Sequence, residues 1–243
     1  MDTPEFARLM ASCETLGRFF PDGLVFIGGI AVYLHAINTE DAKPFAEFTH
    51  DADFYISLAD MADLRDLEEV TPNRRLSKHQ LIKDGFEFDI YTERQSSLIV
   101  PYDAVSAEAK IIGGLRVACL EHLAVLKLEA YLSRRASAKG EKDAKDLYRL
   151  ATVATAQAQP LRPTLTLPYL REEHLPLIRE VARGTAPVGL SLGNVVVAKR
   201  LRASFNSQFD PLLTAYACAT DLSPQASSPA ASAALDDGPR AGR

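Results

Sequence analysis

The stretch FTHDADFYI, residues 48 to 56, sets Asp51 and Asp53 one residue apart inside a run with the alternation of a β-strand. In a strand, residues two apart share a face. Ala52, Phe54 and Ile56 are therefore expected to turn to the core, and Asp51, Asp53 and Tyr55 to turn away from it. Two Cα atoms so spaced lie about 6.5–7 Å apart, which lets their carboxylates converge on hard, oxygen-seeking cations. In most proteins an Asp-x-Asp on a half-exposed strand is only its wetted face, so its surroundings decide the reading.

Two neighbouring segments sharpen it. FEFDIY, residues 86 to 91, repeats the pattern, with Phe86, Phe88 and Ile90 on one face and Glu87, Asp89 and Tyr91 on the other. If the two strands are neighbours in one sheet, Asp89 joins the Asp51/Asp53 pair. Three carboxylates around one point repel strongly unless cations intervene. Two Mg²⁺ ions about 3.5–4 Å apart relieve that repulsion and serve in-line displacement at phosphorus. Upstream, the apolar run LVFI, residues 24 to 27, leads into Gly28-Gly29 and then IAVYLHAI. A strand-to-helix turn made of glycines lets backbone approach a ligand and aims free N–H groups at an anion. Phosphate cradle and metal-binding strand together are more specific than either alone.

The rest of the chain reads as a mixed front followed by helices. Phe6, Leu9, Met10, Cys13, Leu16 and Phe20 fall at helical spacing, and Pro21-Asp22-Gly23 stops that helix. A polar loop over 38–47 leads to the Asp-x-Asp strand, MADLRDLEEV reads as an amphipathic helix, HQLIKDGFEFDIYT as a hairpin, and AKIIGGLRVAC as strand, turn, strand. CLEHLAVLKLEAYLSRR is strongly helical; after the polar break ASAKG a second helix, EKDAKDLYRLATVATA, runs to the boundary at Pro160 and Pro163. Residues 164–220 are expected to hold two or three further helices with irregular structure at APVGLSLGN, and the Ser/Ala/Pro-rich end to be disordered. The fold class is α+β.

With 243 residues, 47% of them apolar, the chain can bury a sizeable core. A net charge of −5 argues against wholesale wrapping by nucleic acid. Cys13, Cys119 and Cys218 fit neither a zinc spacing nor a disulfide framework. No secretory signal and no apolar run of membrane-spanning length is visible, so a cytoplasmic protein without membrane attachment is expected. His35, His79, His122 and His174 have no ligand-like spacing and receive no role.

FIGGIAVYL, HDADFYI and FEFDIY together resemble the signature of the nucleotidyltransferase superfamily related to DNA polymerase β: apolar strand, Gly-Gly, helix, Asp-x-Asp strand and a later strand carboxylate. EHLAVLKLEAYLSRR followed by KGEKDAKDLYRL resembles, more narrowly, the lysine helix and the Lys-Asp-x-x-Asp-Leu helix of AbiEii-type nucleotidyltransferases, a group that includes toxins of toxin–antitoxin and abortive-infection systems. The likeness covers roughly residues 22–152. It implies a nucleotidyltransferase-type mixed β-sheet flanked by helices: a core over 1–117, a helical region over 118–220 completing the active site, and the tail from 221 to 243.

The resemblance also implies roles. Gly28 and Gly29 would meet nucleotide phosphate, with Thr49 beside them. Asp51 and Asp53 would bind Mg²⁺, and Asp89 would be a third ligand or the base that prepares the acceptor hydroxyl. Lys127 would lie against the triphosphate, and Asp143 would be the acidic residue of the last motif. Relatives place an arginine ahead of the threonine; this chain has Phe48, Thr49 and His50 there. The expected activity is Mg²⁺-dependent transfer of a nucleoside monophosphate from an NTP such as ATP. The first-choice acceptor is RNA, particularly a tRNA end, in a toxin with a separately encoded antitoxin. A partner protein, a small molecule, or nucleotide binding without turnover are the alternatives. Read from the residues alone, Arg134, Arg135, Lys139, Lys142, Lys145 and Arg149 form a basic cluster that either guides RNA or nucleotide or, as most charge runs do, is only a solvated helix face.

Overall fold

The computed structural model describes residues 3–94 and 96–221. The tail expected to be disordered lies, beyond Asp221, outside the described residues. The chain opens with α1 (Pro4–Phe19), whose Thr3 hydroxyl accepts from the Phe6 N–H at 3.2 Å and whose first turn holds a proline. Then come β1 (Leu24–Ile27), α2 (Gly28–Ile37), β2 (Asp51–Ile56), α3 (Leu58–Leu67), β3 (Val70–Asn73), β4 (Lys78–Lys83) and β5 (Phe86–Thr92). α4 (Tyr102–Ala107), β6 (Lys110–Ile112) and β7 (Leu115–Val117) complete the front. The helical part comprises α5 (Leu120–Arg134), α6 (Ala138–Ala156), α7 (Pro163–Thr166), α8 (His174–Arg183), α9 (Ala186–Leu190) and α10 (Val195–Asp221).

The strands form one sheet in the order β3-β4-β5-β2-β1-β7-β6. β2 runs parallel to β5 and antiparallel to β1, and β1 runs parallel to β7, so the sheet is mixed. The expected α+β architecture, a mixed sheet with helices followed by a helical region, is what the chain adopts. α2 is buried from Ile30 to Ala36, as a helix apolar on all sides must be. One cluster of buried apolar side chains runs from Phe6 in α1 to Leu212 in α10. In its far part Tyr148 of α6 meets Phe205 of α10 at 4.6 Å between ring centroids, and Phe205 stacks on Phe209 at 4.3 Å.

The β4–β5 hairpin turns at Asp84 and Gly85, with φ of +53° and +83°. Two central residues in the left-handed region make the tight turn whose twist matches flanking strands. The register that follows pairs Lys83 with Phe86, Leu81 with Phe88 and Gln80 with Asp89.

Four expectations are corrected. Tyr55 does not face an open cleft: it is fully buried, and its hydroxyl donates to the Val100 carbonyl at 2.6 Å beneath the 96–102 segment. The segment 186–190, expected to be irregular, is α9, because Pro187 sits in its first turn, where no N–H is required. α3 begins three residues before the expected helix, with the Ser57 hydroxyl accepting from the Asp60 N–H at 3.1 Å, and Val70 belongs instead to the unforeseen β3. Of the break at ASAKG, Ser137 is the cap and Ala138 already opens α6.

Candidate active site

β1 and β2 are antiparallel neighbours, and Ile27 stands opposite Asp53. The turn into α2 therefore begins beside the Asp-x-Asp face. Gly28 has φ +64°, and a Cβ built there would overlap the Asp53 carboxylate. Only glycine meets both demands. A Cβ on Gly29 would stand 3.2 Å from the Thr49 hydroxyl and 3.7 Å from the Lys142 ammonium. Ile27 caps α2 without a side-chain hydrogen bond, and the first turn carries no acidic residue, so this N-terminus offers its N–H groups to an anion.

β2 and β5 are parallel neighbours, with Asp53 opposite Asp89 and Asp51 opposite Glu87. The three carboxylates thus come to one patch of the sheet. Their environments differ. The Thr49 hydroxyl donates to Asp51 Oδ1 at 2.6 Å. Burial would raise the Asp51 pKa, but that hydrogen bond and the charges of Lys142 and Lys139 outweigh it and hold it below the ordinary carboxylate value. Asp53 carries no side-chain hydrogen bond or ion pair among the described residues. Its pKa is pushed up to about 6 by burial first, then by the charges of Asp51 and Asp89. Asp89 is engaged: Lys78 of β4 forms an ion pair with its Oδ2, and the Gln80 amide donates to its Oδ1 at 3.3 Å. Among the described residues no three His, Cys, Asp or Glu side chains come together as a metal-holding group.

Across the cleft stand α5 and α6. Lys127 is buried, 3.2 Å from Asp143 and 2.6 Å from Asp146. Burial opposes its charge, but Asp146 and then Asp143 more than compensate, and its pKa lies above the ordinary value. Arg134 donates through Nε and Nη2 to both oxygens of Asp143, at 2.7 and 3.0 Å. Asp146 also accepts from Arg149 at 2.6 Å, and Arg149 reaches the Phe45 carbonyl at 2.6 Å and pairs with Glu47. This chain of buried charges ties α5 and α6 to the loop that carries Thr49.

The elements enclose a cavity of about 410 Å³. Gly28, Gly29, Thr49, Asp51, Asp53, Asp89, Lys127 and Asp143 all line it, so the expected site residues meet in one place. Lys78, Arg134, Lys139 and Lys142 line it too, while Leu76, Leu98, Leu123 and Leu126 form apolar wall. Lys139 and Lys142 make no ion pair among the described residues. The expected basic cluster is thus divided. Arg134, Lys139 and Lys142 face the cleft, whereas Arg135 pairs with Glu180, Lys145 with Glu141, and Arg149 is buried.

Sequence reading missed Lys78. Its signal was present: counting back from Asp84-Gly85 sets Gln80 opposite Asp89 and Lys78 on the same face as Gln80.

Fold and cleft define an α+β chain in which an acidic strand pair faces a glycine-turned helix start beneath a basic rim. No protein-family model matches the chain, and no curated protein matches its sequence. Solved structures that it is similar to include the Megavirus polyadenylate synthase, at 15% identity and a TM-score of 0.46 over 63% of this chain and 32% of that one. An antigenic nucleotidyltransferase-like protein from Paracoccidioides brasiliensis aligns at 13% identity and 0.39, over 74% of this chain and 93% of that one. JHP933 from Helicobacter pylori aligns at 15% identity and 0.42, over 89% and 95%. The chain spans about a third of the length of the polyadenylate synthase. At these levels, what the chain does rests on its own cleft. Among the described residues no helix is long and apolar enough to cross a membrane.

Proposed function

We propose that the chain is a Mg²⁺-dependent nucleotidyltransferase that moves a nucleoside monophosphate from an NTP to an acceptor hydroxyl and releases pyrophosphate. The observation that carries this reading is the pairing of Asp53 with Asp89 on adjacent strands, directly beside the Gly28–Gly29 turn.

The donor chemistry fits a hard divalent ion. Asp51 and Asp53 supply carboxylate oxygens from one strand face, and Asp53 is held up by burial and like charge, a strain that a cation relieves. Asp51 and Asp53 would hold the first ion, with Asp89 the further ligand or the base. When bound, Mg²⁺ neutralises charge on the α-phosphate and lowers the pKa of the attacking hydroxyl. The chain's own groups do the rest. N–H groups at Gly28 and Gly29 receive phosphate oxygens, and Lys139, Lys142 and Arg134 offset the charge of the leaving pyrophosphate. Lys127, whose ammonium is shared by Asp143 and Asp146, fixes the floor of the cleft and adds its field to the same region. Catalysis of this kind is positioning and electrostatics rather than covalent chemistry.

RNA, with a tRNA end foremost, is the acceptor the reading favours, in a toxin countered by a separate antitoxin. The resemblance in the helix pair supports it, and so do two lysines at the rim without an ion-pair partner among the described residues. Incubation with each labelled NTP, Mg²⁺, total RNA and lysate tests it. Label in RNA, lost in Asp53→Asn, is the expected result. Label in protein alone would move the acceptor to a partner protein. No label anywhere, with any NTP, would remove the enzymatic reading.

A further inference from the structure

Lys78 is the feature of the cleft that the proposed chemistry leaves unused. It opens β4, and its ammonium is paired with Asp89 Oδ2 while the Gln80 amide takes the other oxygen. The Lys78 and Asp89 side chains are only 12% and 22% exposed, so the pair is largely withdrawn from water. Asp89 stands in register with Asp53, and Lys78 is among the charges that act on Asp53. Lys127, the other buried cation nearby, is held by Asp143 and Asp146, so its ammonium is not in contact with Asp89 although its charge reaches Asp53. Lys78 is thus the cation in direct contact with Asp89, whereas Lys127 acts more strongly than Lys78 on Asp53, and Lys142 and Lys139 act on Asp51.

Resting on the metal reading above, we propose that Lys78 is a tethered counter-ion that competes with divalent metal for Asp89. The ammonium occupies the carboxylate that a metal would otherwise share with Asp53, and it does so intramolecularly. A tethered group competes at an effective concentration on the order of millimolar or more. Bare metal therefore meets an Asp89 already paired with a positive charge. Metal arriving with nucleotide brings phosphate ligands of its own and a negative charge that can accept the displaced ammonium. Lys78 is in this view a positioning residue that sets when the cleft loads.

The test is Mn²⁺ titration of the full-length, nucleotide-free protein, with free Mn²⁺ read by electron paramagnetic resonance, together with thermal melts. Lys78→Met is expected to bind Mn²⁺ about tenfold more tightly than wild type, because a repelling charge is gone and a ligand is freed. Lys78→Gln should shift the same way, which guards against one variant folding poorly. Lys78→Arg, which keeps the charge, should stay within about twofold of wild type. Without metal, Lys78→Met should melt at or below the wild-type temperature. If Lys78→Met and Lys78→Gln bind Mn²⁺ no more tightly than wild type, while Asp53→Asn abolishes binding, the counter-ion proposal is overturned and the metal site stands. If neither wild type nor any variant binds Mn²⁺, both fall.

Discussion

Gly28 and Asp53 share one small volume, and each constrains the other. At Gly28 any side chain would need a left-handed backbone and would overlap the Asp53 carboxylate. Gly28→Ala is therefore expected to lower stability by about 1–3 kcal/mol, read by urea unfolding, and to weaken nucleotide binding as the turn shifts. Asp53→Asn should behave oppositely. It removes a charge that burial, Asp51 and Asp89 all disfavour, so the metal-free fold should be as stable as wild type or more so. Transfer should fall by roughly 10²–10³-fold or more. A loss of stability in Asp53→Asn would instead make this aspartate a structural residue. The acidic face was legible from sequence because a period of two leaves no choice once the strand is recognised. Tyr55 was not, since what covers it is the aperiodic 96–102 segment, and alternation says which face a residue takes but not what lies over it.

At the scale of elements, the buried charges between α5 and α6 hold the cleft's far wall. Lys127→Ala would leave Asp143 and Asp146 buried without the cation between them, and a loss of about 3–5 kcal/mol is expected in urea unfolding. Activity lost in that variant has to be compared at matched fractions folded. α2 is tied to the end of β7 by His35, whose Nε2 donates to the Ala118 carbonyl at 2.8 Å while Nδ1 has no partner among the described residues. Burial, outweighing the pull of that carbonyl, lowers its pKa below the ordinary 6.5, and His79 and His122 shift the same way. A lowered folded-state pKa means that the unfolded chain takes up protons first. Stability is thus retained above pH 6.5 and lost as pH falls from there through the folded-state values, by at most about 1.4 kcal/mol per pH unit per group. Melts at pH 7.5 and 5.5 should show this, and His35→Gln, which keeps the donor to Ala118, should reduce the slope. Helix and strand identities were readable wherever a period persisted for two turns or five residues. α9 was hidden because its proline and glycine look like breakers, and β3 because four residues containing a proline give no alternation to count.

Across the whole molecule, α10 supplies no residue to the cleft lining yet holds α6 in place through Phe205 and Phe209. Phe205→Ala is expected to cost about 3–5 kcal/mol and to lower the melting temperature by about 10 °C, with nucleotide affinity at low temperature unchanged. An altered affinity in the folded variant would mean that α10 shapes the cleft. The meeting of Asp53, Asp89, Lys127 and Asp143 in one cavity could be anticipated only through the likeness of the motifs, because local patterns do not say which strands become neighbours. Lys78 needed one step more, the pairing fixed by the two residues at the hairpin's end. That short reversal has a consequence of its own. Lengthening it by one residue would slide β4 a single position along β5, carrying His79 and Leu81 round to the nucleotide side and pressing the Lys78 ammonium among the apolar packing. Loop length alone would then decide whether this protein's cleft holds a built-in cation or waits for one from solution.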